Sequence, residues 1–273
     1  MRHALTIAGS DSGGGAGLQA DLKTFAAHGV FGTSVVTAIT AQNTRQVTAA
    51  LPIPPDIVVA QIDAVLDDIP IHAAKTGMLA TGAIVRAVAD AIARRAIPHL
   101  VVDPVRVAKS GDRLLDPDAV SAVIDALVPQ AFVVTPNVPE AEVLAGIAIG
   151  STAAAREAAR RIQVRGARAV LVKGGHLEGP ESVDVLVDGT AVHELRAPRL
   201  PARMTHGTGC TLSAAIAANL ALGSPLLEAV IRAKRYLTEA IRQGVAVGSG
   251  HGVPHHLWPL RPAGNDGAAP PDA

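Results

Sequence analysis

The sequence predicts an α/β fold, a central and mostly parallel sheet flanked by helices on both faces. Three observations carry this prediction. Short β-type runs alternate with longer helical stretches along most of the 273 residues. Runs such as Leu100-Val101-Val102 and Phe132-Val133-Val134 are apolar at every position, which suits parallel strands buried on both faces. Gly9 to Gly17, Gly77-Met78, Asp103-Pro104 and Asn137 to Glu140 fall just after predicted strands, where open α/β sheets bind their ligands.

The elements follow in order. Residues 4–7 read as a strand, 9–15 as a glycine-rich turn and 16–28 as a helix with Leu18, Leu22, Phe25 and Ala26 on one face. Residues 33–39 read as a second strand, and 55–66 as a helix with Pro55 in its first turn. Strands are predicted over 73–76, 100–103, 132–135 and 169–173, with helices over 81–95, 116–127, 139–145 and 152–165. The intervening helices supply the crossovers that parallel strands require. Asp188-Gly189 between two β-type runs, 183–187 and 191–195, signals a hairpin. Long helices follow over 207–222 and 225–243. One domain is expected over residues 1–261, followed by a tail over 262–273 that lacks apolar anchors and is predicted to be disordered.

Composition narrows the function classes. Lys plus Arg and Asp plus Glu each number 24, so no long-range field favours nucleic acid or an anionic membrane. Aromatic residues make up 2% of the chain, too few for base-stacking platforms. Cys210 is the only cysteine, which excludes an internal disulfide. The apolar run at residues 4–8 is too short for a signal-peptide core, and no later run reaches the length of a membrane span. The expectation is a cytoplasmic enzyme.

Three segments carry chemistry. Gly207-Thr208-Gly209-Cys210-Thr211 opens an apolar helical stretch. Glycines let backbone approach a ligand, and the first amides of a helix suit phosphate or an oxyanion. In that turn a thiol pKa is expected to fall. A glycine turn with a buried cysteine packing as a small hydrophobe is the competing reading. Gly13-Gly14-Gly15-Ala16-Gly17 fits neither the dinucleotide fingerprint nor a P-loop, and read alone it is a strand-to-helix turn. Asn137-Val138-Pro139-Glu140 places an amide and a carboxylate at a helix start. They could hold waters around magnesium, or simply form a capping box. Asp103, before Pro104, is a further carboxylate after a strand. His206 reads as a turn hydrogen-bonding residue. His251, His255 and His256 lack the helical spacing of a zinc site.

These segments occur together and in order with Ala41-Gln42-Asn43-Thr44, Lys75-Thr76-Gly77-Met78-Leu79, Asp103-Pro104-Val105, Ala108-Lys109-Ser110-Gly111 and Lys173-Gly174-Gly175-His176. From about Leu5 to His256 the chain resembles the hydroxymethylpyrimidine/phosphomethylpyrimidine kinases of thiamine biosynthesis, within the ribokinase-like superfamily. The resemblance implies a ribokinase-like sheet, a homodimer, and transfer of the ATP γ-phosphoryl group to a hydroxymethylpyrimidine and then to its monophosphate. It implies Asp21 and Gln42 as the pyrimidine-recognising pair, with Ala16, Met78 and Val105 as apolar walls. Asn137 and Glu140, with Asp103 nearby, are implied for Mg2+ through water, and Lys173 and Thr208 for the nucleotide phosphates. Gly207 and Gly209 are implied as the anion-hole backbone. Cys210 stands where sugar kinases of the superfamily carry an aspartate base.

Some positions depart from the family pattern. Ser12-Gly13 stands where Pro-Ser is common, which is expected to loosen the first loop. Arg106 and Arg113 replace an apolar residue and a proline. The nearest rival is a pyridoxal-type kinase, against which Asp21 with Gln42 weighs. A non-catalytic pyrimidine- or phosphate-binding regulator is a rival from another class.

Overall fold

The computed structural model describes residues 1–105, 117–200 and 204–260. Strand β1 (His3–Ala8), helix α1 (Gly17–Ala27) and strand β2 (Phe31–Val36) form the first strand–helix–strand unit. A ribbon of β3 (Ala38–Gln42) and β4 (Val47–Pro52) follows, then α2 (Pro55–Asp68), β5 (Ala73–Thr76), α3 (Gly82–Arg95) and β6 (Leu100–Val102). The chain continues through α4 (Pro117–Ala122), β7 (Val133–Val134), α5 (Val138–Ala145), α6 (Thr152–Val164) and β8 (Ala169–Val172). It then forms β9 (Glu181–Asp188), β10 (Ala191–Pro198), α7 (Thr208–Ala221) and α8 (Leu226–Arg242).

Eight strands form one sheet in the order β10-β9-β8-β7-β6-β5-β1-β2. All neighbours from β2 to β8 are parallel, and β9 and β10 are antiparallel additions. The all-apolar strands divide their side chains between two cores. Leu100 and Val102 pack with α2 to α6, whereas Val101 packs with α1, α7 and α8. Helices therefore cover both faces, as the unbroken apolar runs require. Each fully buried Leu, Ile or Phe contributes about 1.5–3 kcal/mol of hydrophobic stabilisation.

Local chemistry sets the helix ends. Thr81 caps α3 through Ile84 N–H, and Ser151 caps α6 through Ala154 N–H. Arg94 and Arg95 lie in the last turn of α3, where positive charge suits the helix dipole. The helix expected over 116–127 is α4 followed by a π-helical turn, Val123–Leu127. The hairpin is present, with Asp188 opposite Ala191 and Gly189 at φ 58°.

The strand expected over 33–39 ends early. Thr37 donates its N–H to Ala8 O and its hydroxyl to Met78 O, turning the chain out of the main sheet into the β3–β4 ribbon. That ribbon escaped the sequence reading because β4 is almost entirely exposed and shows no buried alternation. Among the described residues no helix is long and apolar enough to cross a membrane. Arg106, Arg113, residues 108–111 and the tail over 262–273 lie outside the described residues.

Candidate active site

The parallel strands run out along one edge, and a cavity of about 500 Å³ opens there. Every residue that the family resemblance assigns to the site lines it except Asp21. Ala16, Gln42, Met78 and Val105 lie with the first loop and Cys210. Asn137, Glu140, Lys173 and Thr208 extend the same cavity past Asp103.

The first loop is folded around Asp11. Its Oδ1 accepts Gly13 N–H at 2.8 Å, and its Oδ2 accepts Gly15 N–H at 3.0 Å and Ala16 N–H at 2.8 Å. The amides that could have cradled phosphate are thus satisfied by a carboxylate of the same loop. Oδ2 also meets His206 Nε2 at 2.8 Å. Burial pushes the Asp11 pKa up, but the bonds from His206, Ala16 and Gly13 more than offset this and hold it below the usual carboxylate range. Ser12 does not loosen the loop. Its hydroxyl donates to Gln42 O at 2.7 Å and accepts Gln42 N–H at 2.8 Å, lacing the loop to β3. The Gln42 side chain accepts from Thr40 Oγ1 through its amide oxygen at 3.2 Å, which leaves the amide nitrogen for a ligand.

The second glycine segment forms the start of α7. Gly207 is its N-cap, at φ 83°, and a Cβ there would lie 1.9 Å from Gly15 O. Only glycine fits such a close approach in left-handed backbone. The first amides of α7 have no acceptor within the helix. Cys210 lies in that first turn, on the cavity wall with Gly17. The expected fall in its pKa is overturned: burial pushes the thiol up to about 11, and the nearby Asp21 and Asp103 charges add to this, against partial relief from Lys75 and Gly17 N–H. The helix start does not outweigh the loss of water around the sulfur.

Two ion pairs stand at the cavity, one in its wall and one beneath it. Lys173 Nζ donates to Asp103 Oδ1 at 2.9 Å, and Ser213 Oγ donates to Asp103 Oδ2 at 3.2 Å. Burial disfavours the charge on each, yet their pairing wins, lowering the Asp103 pKa and raising that of Lys173. A Cβ on Gly209 would lie 3.3 Å from Lys173 Nζ, so the ammonium sits directly against the helix start. The second pair corrects the sequence reading. Asp21 is fully buried and outside the cavity wall, and its oxygens are taken by Lys75 Nζ and by Thr6 Oγ1 at 2.6 Å. It has no surface with which to read a pyrimidine. Burial alone would lower the Lys75 pKa, but Asp21, Cys210 and Asp103 overcome it and keep the ammonium charged.

Asn137 and Glu140 do form a capping box, with Asn137 Oδ1 accepting Glu140 N–H at 2.9 Å and Glu140 Oε2 accepting Asn137 N–H at 2.8 Å. The same box fixes both side chains on the cavity wall. Sequence reasoning missed Asp11 and Lys75. An Asp ahead of glycines signals side-chain capping of a turn, and a lysine inside the buried strand Ala73-Ala74-Lys75-Thr76 demands a partner.

The chain is similar to known proteins in sequence and in fold. The sequence pattern of the family described as phosphomethylpyrimidine kinase matches residues 11–255. The hydroxymethylpyrimidine/phosphomethylpyrimidine kinase of Rhizobium meliloti is 56% identical over 257 residues, covering 93% of this chain and 96% of that protein. The thiamine biosynthesis bifunctional protein ThiED of Geobacter sulfurreducens is 53% identical over 93% of this chain, which spans about half, 52%, of that relative's length. Among solved structures, an ADP complex of Bacillus subtilis pyridoxal kinase superposes with a TM-score of 0.88 at 39% identity, covering 94% of this chain and 97% of that one. The phosphomethylpyrimidine kinase of Clostridium difficile superposes with a TM-score of 0.80 at 45% identity, covering 88% of this chain and 100% of that one. With the match spanning the first loop, the Asp103–Lys173 pair and the start of α7, the chain belongs to the phosphomethylpyrimidine kinase family.

Proposed function

We infer that this protein phosphorylates 4-amino-5-hydroxymethyl-2-methylpyrimidine with ATP and then phosphorylates the monophosphate, supplying the diphosphate for thiamine biosynthesis. The observation that carries the reading is that apolar side chains at 16, 78 and 105 and the glycine-bearing start of α7 line one cavity. Ala16, Met78 and Val105 supply apolar contact for a ring, and the Gln42 amide nitrogen can donate to a ring nitrogen. The amides at Gly207, Gly209 and Cys210, with Lys173 beside them, face the group in transfer, and Thr208 lies with them for the nucleotide phosphates. Phosphoryl transfer depends mainly on such positioning and charge stabilisation.

Cys210 is assigned to take the proton of the hydroxymethyl group in the first transfer. With its thiol pushed up to about 11, only the minor thiolate fraction can accept that proton at neutral pH, so the amides and Lys173 carry most of the rate enhancement. The second transfer starts from a phosphate oxygen that is already ionised and needs the thiol less.

Magnesium belongs to the same reading. Among the described residues no three His, Cys, Asp or Glu side chains converge on one metal position. Magnesium keeps waters and uses phosphate oxygens, and Asp103, Asn137 and Glu140, all on the cavity wall, would hold those waters. When bound, it neutralises charge on the ATP phosphates. A homodimer in the cytoplasm completes the reading, and light scattering on purified protein and cell fractionation test those two parts.

Incubation with Mg-ATP and the hydroxymethylpyrimidine, resolving monophosphate from diphosphate over time, tests the function. Both products should appear in sequence. ADP formation with pyridoxal alone would favour the vitamin B6 reading, for which the fit to the Bacillus subtilis pyridoxal kinase is the supporting observation. No ADP with either alcohol would favour a non-catalytic regulator.

A further inference from the structure

The two glycine segments are far apart in sequence yet interlocked in space. A Cβ on Gly15 would lie 2.6 Å from His206 Cδ2, and one on Gly207 would lie 1.9 Å from Gly15 O. Backbone contact this close fixes one segment against the other only if something stops them sliding apart. A side-chain hydrogen bond across this contact joins Asp11 and His206, 2.8 Å apart, both buried. Asp11 is also the residue that gathers the amides of Gly13, Gly15 and Ala16. His206 adjoins Gly207 and is itself anchored through its N–H to Gly252 O at 3.1 Å.

We propose that Asp11 and His206 are positioning residues that hold the pyrimidine wall and the phosphate-binding start of α7 in one rigid frame. Asp11 fixes the backbone at Ala16, and through His206 it fixes the turn that begins at Gly207. The ionised carboxylate requires a donor, so His206 carries its proton on Nε2. Neither residue transfers a proton to substrate. The proposal rests on the kinase reading for its kinetic consequences, and it also has a consequence in the protein without ligands: Gly17 and Cys210, one on each segment that the frame joins, line the same cavity and are held together by it.

Three variants test it. His206→Leu removes the donor, and His206→Gln keeps an N–H donor near the position of Nε2. Asp11→Asn keeps the shape but cannot accept four N–H groups. Displacement of reacting groups by about 1 Å can cost about 100-fold in rate. His206→Leu and Asp11→Asn should therefore lower kcat by about 30- to 100-fold, with KM for Mg-ATP changed less than about threefold. Both transfers should fall by the same factor, unlike the effect of removing Cys210. His206→Gln should recover kcat to within about fivefold of the starting protein.

The second readout needs no turnover. Cys210 is the only cysteine, so iodoacetamide reports on it alone. Alkylation of the ligand-free protein should be at least about fivefold faster in His206→Leu than in the starting protein, and His206→Gln should restore the slow rate. If Asp11→Asn does not fold, the two His206 variants decide. The proposal is overturned if His206→Leu alkylates at the starting rate, or if His206→Gln is as impaired as His206→Leu. Absence of kinase activity in the starting protein would sink the functional reading while leaving the alkylation test intact.

Discussion

Lys75 Nζ donates to both carboxylate oxygens of Asp21, at 3.0 and 2.8 Å, with neither side chain exposed. This pair lies beneath the cavity that contains Gln42 and Cys210, and it moves Asp21 from substrate recognition to structure. Removing one partner of a buried ion pair leaves an uncompensated charge, at about 3–5 kcal/mol. Lys75→Met should destabilise the protein by about that amount, read as a fall in denaturant midpoint. Asp21→Asn should act mainly on stability in the same way. A raised KM for the pyrimidine at unchanged stability would restore Asp21 as a ligand.

Gln42 offers the opposite pattern. Its side chain lines the cavity at the edge of the β3–β4 ribbon. Gln42→Leu should leave stability within about 0.5 kcal/mol. KM for the pyrimidine should rise by about 10-fold through loss of one hydrogen bond. Steady-state kinetics on the pyrimidine alcohol and pyridoxal would show whether the loss falls mainly on the pyrimidine.

Gly209 separates folding from chemistry. A Cβ there would lie 3.3 Å from Lys173 Nζ and 3.7 Å from Asp103 Oδ2. Alanine favours helix over glycine by up to about 1 kcal/mol, so Gly209→Ala should not reduce the melting temperature. It should nevertheless lower kcat by about 100-fold or more, because the methyl group occupies the space in front of the amides and Lys173. Melting curves and turnover measured on one sample check both halves.

Cys210→Ala should reduce the first transfer toward the lower end of the range of about 100- to 10,000-fold that general bases supply, and the second transfer much less. The elevated thiol pKa has a direct consequence. Below about 11 the thiolate fraction rises tenfold per pH unit. Alkylation of Cys210 should therefore still be climbing at pH 10, whereas an ordinary thiol would already be near its plateau. Equal loss in both transfers would remove the assigned proton-transfer role.

His256 supports α7 from the other side. Its Nε2 lies 3.0 Å from Thr211 Oγ1, and its carbonyl accepts Tyr236 OH at 2.6 Å. Burial pushes its pKa down to about 4, with Lys23, His255 and His206 adding to the effect. The unfolded chain binds a proton near pH 6.5 that the folded protein refuses. Stability is therefore complete above that pH and falls as the pH drops from about 6.5 toward 4, by about 3 kcal/mol in all. His256→Gln should flatten that part of a stability–pH curve measured by urea unfolding.

Much was legible in the chain itself. Unbroken apolar runs such as Leu100-Val101-Val102 carry their own burial requirement, so the parallel sheet and its two helical layers follow from local pattern. Glycine at 207 and 209 ahead of an apolar helix likewise announces a helix start that can meet an anion. Tertiary structure alone decided which polar groups face the cavity and which neutralise one another. Asp21 on α1 and Asp103 just after β6 are both carboxylates, yet Lys75 claims the first below the floor while the second stands with Lys173 in the wall. The thiol of Cys210 is the clearest case. Its place in the first turn of α7 was written in the sequence, but its pKa depends on how much water and which charges the fold leaves around the sulfur, and those come from β5, α1 and the loop after β6.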